Sequence, residues 1–207
     1  MEAILQSWID YVFIDQTDKP EWAGPREQIP VLISETFERS GELLAKFSDE
    51  QLDQGFWHLL SEGPPQFMGT LANETIPLEP RLRAVRSIAP LFEQVMAVRS
   101  TSHLSHLDDK GASPLNSACY MWWDLLRLVL CSTSLVTQVI ATLHRQLVIP
   151  HDACRESALH GIGHLRRDCP PYQKQLSGII DEFLDGTPGL RTELIAYAEQ
   201  ARRGELL

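Results

Sequence analysis

The 207-residue sequence has only four cysteines, no long apolar run and no excess of basic charge. Each shortage excludes a class of protein. Cys119, Cys131, Cys154 and Cys169 form no CxxC pair and follow no framework spacing, which predicts reduced thiols in an intracellular chain and not a stapled secreted domain. The most apolar region, 115–148, is interrupted by Asp124, Arg127, Arg145 and the step Cys131-Ser132-Thr133-Ser134. It falls short of the roughly 20 apolar residues a bilayer span needs, so a buried helix pair and no membrane association are expected. The first residues, MEAILQSWIDYVF, have neither a basic n-region nor a small-residue cleavage site, and a cytoplasmic location is the expectation. No G-x-S-x-G elbow, P-loop or G-x-G-x-x-G occurs. Gly161-Ile162-Gly163 lies within a helical pattern and does not follow a strand, so no cofactor is expected.

Period-two alternation is also scarce, whereas apolar residues recur at i, i+3, i+4 along most of the chain. The pattern predicts an all-α fold, an irregular antiparallel helical array in one domain spanning 1–207. A first helix over 2–14 carries Ile4, Leu5, Trp8, Ile9, Val12 and Phe13 inward, and a loop follows at 18–25. A second helix begins near Arg26 and tolerates Pro30 in its first turn. Ser48-Asp49-Glu50-Gln51 has the form of a capping box, and Gly63-Pro64-Pro65 ends the helix it opens. A short helix at 66–72 precedes a longer one at 81–100, in which Pro90 predicts a kink or break. Ser113-Pro114 reads as an N-cap with proline at the first helical position. Pro150, Pro170-Pro171 and Gly186-Thr187-Pro188-Gly189 then separate three helices of about 15 residues, which short connections make antiparallel neighbours.

ACRESALHGIGHL followed by YQKQLSGIIDEFL resembles one unit of a HEAT-like repeat over about 40 residues, implying HEAT-like helix pairs in the repeat-like part, 113–207. Ala84-Val-Arg-Ser-Ile-Ala89 and Ala153-Cys-Arg-Glu-Ser-Ala158 share A-x-R-x-x-A, an internal echo of the same kind. PLNSACYMWWD and CRESALHGIGHL also resemble stretches of a bacterial protein family, which implies a bacterial source and no particular chemistry. HEAT-like enzymes that act on damaged DNA line a concave groove with basic residues. Arg81, Arg83 and Arg86 could hold an anion, but the net charge of -10 and the lack of a long basic stripe argue against nucleic acid as a partner.

The charge is uneven. Residues 1–62 hold 13 acidic and 4 basic residues, whereas 63–207 hold 15 and 14, so the amino-terminal third should present an acidic face suited to a basic partner.

The histidine-bearing stretch at 153–165 can be a packed helix or a metal site. On a helical wheel Cys154, Ala158, Gly161, Ile162 and Leu165 share one side, and Glu156, His160 and His164 form a stripe opposite. An i, i+4 histidine pair can hold zinc, but Glu156 lies about 12 Å along the axis from His164, and no H-E-x-x-H motif is present. A third ligand would have to come from elsewhere, among His103, His106, Asp124 or Cys119. The packed helix is therefore the expectation, with both imidazoles turned from the apolar interior and Glu156 paired to His160. His103 and His106, followed by Asp108-Asp109, are expected in a solvated loop. Trp122 and Trp123 point about 100° apart, so one is expected to line a groove. Asp124 requires a partner, with Arg127, Arg86 or Arg155 as candidates.

These features point first to a non-enzymatic protein-binding protein that neutralises or scaffolds a basic partner, as immunity proteins do. Its surfaces would be the acidic face and a groove near Trp122, Trp123, Asp124, Glu156, His160 and His164. One alternative is a metal-binding or hydrolytic enzyme built around Asp124, His160 and His164. Another is a structural subunit of a homo-oligomer.

Overall fold

The computed structural model of the chain describes residues 2–14, 22–61, 66–107 and 111–206. Residues 18–21 of the expected loop, the Gly63-Pro64-Pro65 stop and the Asp108-Asp109 pair lie outside them. The described residues form helices and no strand. In chain order these are α1 (Glu2–Phe13), α2 (Ile29–Glu38), α3 (Ser40–Leu43), α4 (Asp49–Leu60), α5 (Leu78–Leu91), α6 (Ala97–Arg99), α7 (Leu115–Leu125), α8 (Arg127–Leu130), α9 (Val136–Leu147), α10 (Asp152–Asp168), α11 (Gln173–Gly186) and α12 (Thr192–Arg203). None of the described helices is long and apolar enough to cross a membrane.

Local chemistry explains most boundaries. At α4 the Ser48 hydroxyl accepts from Gln51 N at 3.2 Å while Gln51 Oε1 accepts from Ser48 N at 3.0 Å, a complete capping box. Pro90 sits inside α5, and the chain passes directly into a π-helical turn at Phe92–Met96 before α6, the wider winding expected where a proline removes a backbone donor. The start of α7 differs from expectation, because Pro114 is itself the N-cap, Leu115 is the first helical residue and no side chain caps the helix. Asn116 Oδ1 instead accepts from Ser113 N, Ser113 Oγ, Thr101 N and Thr101 Oγ1 at 2.9–3.1 Å, so one amide ties the preceding loop to the helix.

One continuous apolar core runs from α1 to the carboxy-terminal residues. Its centre is α10, packed against α7, α9, α11 and α12. Every residue of α10 from Ala153 to Leu165 is buried except Arg155, which is half-buried. This overturns the expectation that the Glu156, His160, His164 stripe faces away from the interior. The helix does pack its small side chains against α9 and α7, but α12 covers the other side, so the polar stripe is enclosed as well.

Candidate metal centre

Three side chains from two helices converge beneath the surface. Asp124 stands in the last turn of α7, and His160 and His164 stand one turn apart on α10. One ligand atom of each lies within 4.8 Å of the others. His164 Nε2 is 3.0 Å from Asp124 Oδ1 and 3.0 Å from His160 Nε2. Both imidazoles are 2% exposed, whereas the Asp124 side chain is 29% exposed, so the carboxylate forms the outer edge of the cluster. The partner expected for Asp124 was an arginine. Instead Arg127 pairs with Asp168, Arg86 with Glu79 and Arg155 with Asp152, which leaves Asp124 to His164.

The surrounding donors fix the protons. Arg167 Nη2 lies 2.8 Å from His164 Nδ1, and a guanidinium only donates, so Nδ1 must present its lone pair and Nε2 must carry the proton. That proton points at Asp124 Oδ1 and His160 Nε2. His160 Nε2 is then an acceptor, and His160 Nδ1–H donates to Tyr197 Oη at 2.7 Å. Tyr197 Oη lies 3.2 Å from Tyr120 Oη, which extends the chain towards a half-buried phenol. Burial, reinforced by the neighbouring His164, pushes His160 down to about 4. Burial also lowers His164, against the opposing pull of Asp124. Tyr197 is raised, first by burial and then by its bond to Tyr120, and stays a phenol. The cluster therefore holds neutral imidazoles beside the Asp124 side chain at neutral pH, with the Nε2 lone pair of His160 turned towards the cluster and the Nε2 of His164 carrying a proton that must shift to Nδ1 before that nitrogen can ligate.

Glu156 does not pair with His160. It is fully buried, and its carboxylate accepts from Ser105 N at 2.8 Å, His106 N at 2.9 Å and His106 Nδ1 at 2.6 Å. His106, expected in a solvated loop, is thereby drawn down to stack on Tyr197 with ring centroids 4.2 Å apart. His103 Nδ1 is 2.7 Å from Thr101 Oγ1 and lies outside the cluster. Trp122 and Trp123 diverge as their spacing requires, but both are fully buried and neither lines a groove. Trp122 packs among Phe37, Phe56 and Phe92, while Trp123 donates its indole N–H to Gln146 Oε1 at 2.9 Å. Sequence reasoning missed Tyr120, Arg167 and Tyr197. For Tyr197 a signal existed, since it shares the apolar stripe of α12 with Leu194, Ala198 and Ala201, and a buried phenol needs a polar partner.

No family model, curated protein or solved structure matches this chain.

Proposed function

We propose that the protein binds a divalent transition-metal ion of the zinc type through Asp124 Oδ1, His160 Nε2 and His164 Nε2. The observation that carries the reading is the convergence of these atoms from α7 and α10. Two imidazoles and one carboxylate suit zinc and its first-row neighbours and do not suit calcium or magnesium, which take oxygen ligands. The hydrogen bond from His160 Nδ1–H to Tyr197 Oη is the outer contact that orients a ligating histidine. Three protein ligands leave a coordination position for water or a substrate oxygen, as in catalytic and not structural zinc sites, so a hydrolytic reaction is the chemistry this set supports. Asp124, at the exposed edge, lies where such a molecule would enter.

The alternative of a basic protein partner on the acidic amino-terminal face has weaker support. Residues 1–62 are strongly acidic, but Arg83 binds Glu35 and Glu38 and Arg99 binds Asp49, so bases from later in the chain neutralise part of that face.

Zinc titration against a competing chromophoric chelator tests the metal reading. Chelator-stripped protein is expected to take up one zinc per chain, and His160→Ala and His164→Ala should each lose it. Absence of uptake, or uptake unchanged in both variants, would contradict the assignment and leave the cluster as a satisfied polar network in the core.

A further inference from the structure

Arg167 is hard to reconcile with a simple metal ligand at His164. A histidine that binds metal through Nε2 carries its remaining proton on Nδ1 and gives it to a carbonyl, carboxylate or water. His160 keeps the required tautomer by giving its Nδ1 proton to a hydroxyl oxygen, Tyr197 Oη. His164 breaks it, because its Nδ1 faces Arg167 Nη2 at 2.8 Å, and a guanidinium has no lone pair to accept a proton. As long as that contact holds, the Nε2 lone pair of His164 is occupied by hydrogen.

On the basis of the metal reading above, we propose that Arg167 sets the affinity of the site by holding His164 in the tautomer that cannot ligate. For His164 to bind, Arg167 must leave Nδ1 and the imidazole proton must move from Nε2 to Nδ1, a shift that needs no other reactant. Arg167 has other contacts to fall back on. Its Nε lies 3.0 Å from Asp168 Oδ1, its Nη1 donates to Leu206 O at 3.1 Å, and its side chain is 36% exposed. It can swing off His164 without leaving a buried charge unpaired. Asp168 is itself fastened by Arg127 Nη2 at 3.1 Å, so the anchor for the displaced guanidinium is already in place. Arg167 is thus a positioning residue acting through His164, and whatever draws it outward, such as an anionic group arriving at the exposed edge, would favour metal uptake.

The test uses the full chain, freed of metal by chelator, in wild type and the Arg167→Gln, Arg167→Lys and Arg167→Met variants. In 15N NMR of the imidazoles, wild type should show the His164 proton on Nε2. Arg167→Gln, whose amide oxygen can accept from Nδ1–H, should move it to Nδ1. Zinc affinity by chelator competition should rise about tenfold or more in Arg167→Gln, the scale of losing one charge-assisted hydrogen bond. Arg167→Lys, still cationic and donor-only, should stay close to wild type. Arg167→Met separates loss of charge from gain of an acceptor and should fall below Arg167→Gln. A His164 proton on Nδ1 in wild type would overturn the proposal whatever the metal does. So would an affinity in Arg167→Gln equal to or below that of wild type, or an Arg167→Met affinity equal to that of Arg167→Gln. If the tautomers behave as expected but no variant takes up zinc, the metal reading itself fails, and the gate with it.

Discussion

Gly161 decides how closely α10 approaches its neighbours. A Cβ at this position would lie 2.8 Å from both Leu143 Cδ2 and Trp123 Cγ, closer than carbon atoms pack. Trp123 cannot yield easily, because its indole is held by Gln146, whose amide N–H donates in turn to Cys154 O at 2.9 Å. Gly161→Ala should therefore overpack the junction of α7, α9 and α10 and lower stability by about 1–3 kcal/mol. Urea unfolding would read this as a lower midpoint at unchanged slope, and an unchanged midpoint would count against the packing account. The small residues of this stretch were legible in the sequence as the close-contact side of a helix. The partner of Asp124 was not, because the arginine nearest in sequence, Arg127, is taken by Asp168 some 40 positions later, a competition that exists only in three dimensions.

At the scale of elements, capping and punctuation were the most legible features. The box at Ser48, the first-turn Pro30 and the prolines flanking α10 all lie where local chemistry requires them. Ser48→Ala removes the acceptor for Gln51 N and should cost about 1 kcal/mol, read as a small fall in urea midpoint; a loss below measurement error would mean that α4 is held by packing alone. The orientation of α10 was not legible. Periodicity reports which residues share a face but not how many faces are covered, and the covering element, α12, arrives some 30 residues after the histidines. Its Tyr197 turns what reads as a polar stripe into an enclosed one. The loop before α7 follows the same logic. Glu156 receives two of its backbone N–H groups, so a carboxylate expected to pair with His160 becomes an internal anchor.

For the whole molecule, the enclosed histidines make stability depend on pH. His160 has an ordinary value of 6.5 and is held near 4 in the fold, so the unfolded chain takes up its proton first as pH falls. Stability from this group is present in full above about pH 6.5 and is lost progressively towards pH 4, on the order of 3 kcal/mol. His164, also lowered, acts in the same direction, while His151, raised chiefly by the neighbouring Cys154, partly opposes them. Urea unfolding of chelator-treated protein should show a midpoint falling steadily from pH 7 to pH 5, and a flat or rising midpoint would contradict the burial of neutral imidazoles. The acidic excess of residues 1–62 was legible as a number but not as a surface, because Arg83 and Arg99 reach back across the fold to Glu35, Glu38 and Asp49. The central claim is that Asp124, His160 and His164 hold one transition-metal ion, and anomalous diffraction at the zinc edge from zinc-soaked crystals tests it most directly. The account predicts a single strong peak bounded by Asp124 Oδ1, His160 Nε2 and His164 Nε2, with Arg167 displaced from His164. A map with no peak there, and His164 still bonded to both Asp124 and Arg167, would contradict it.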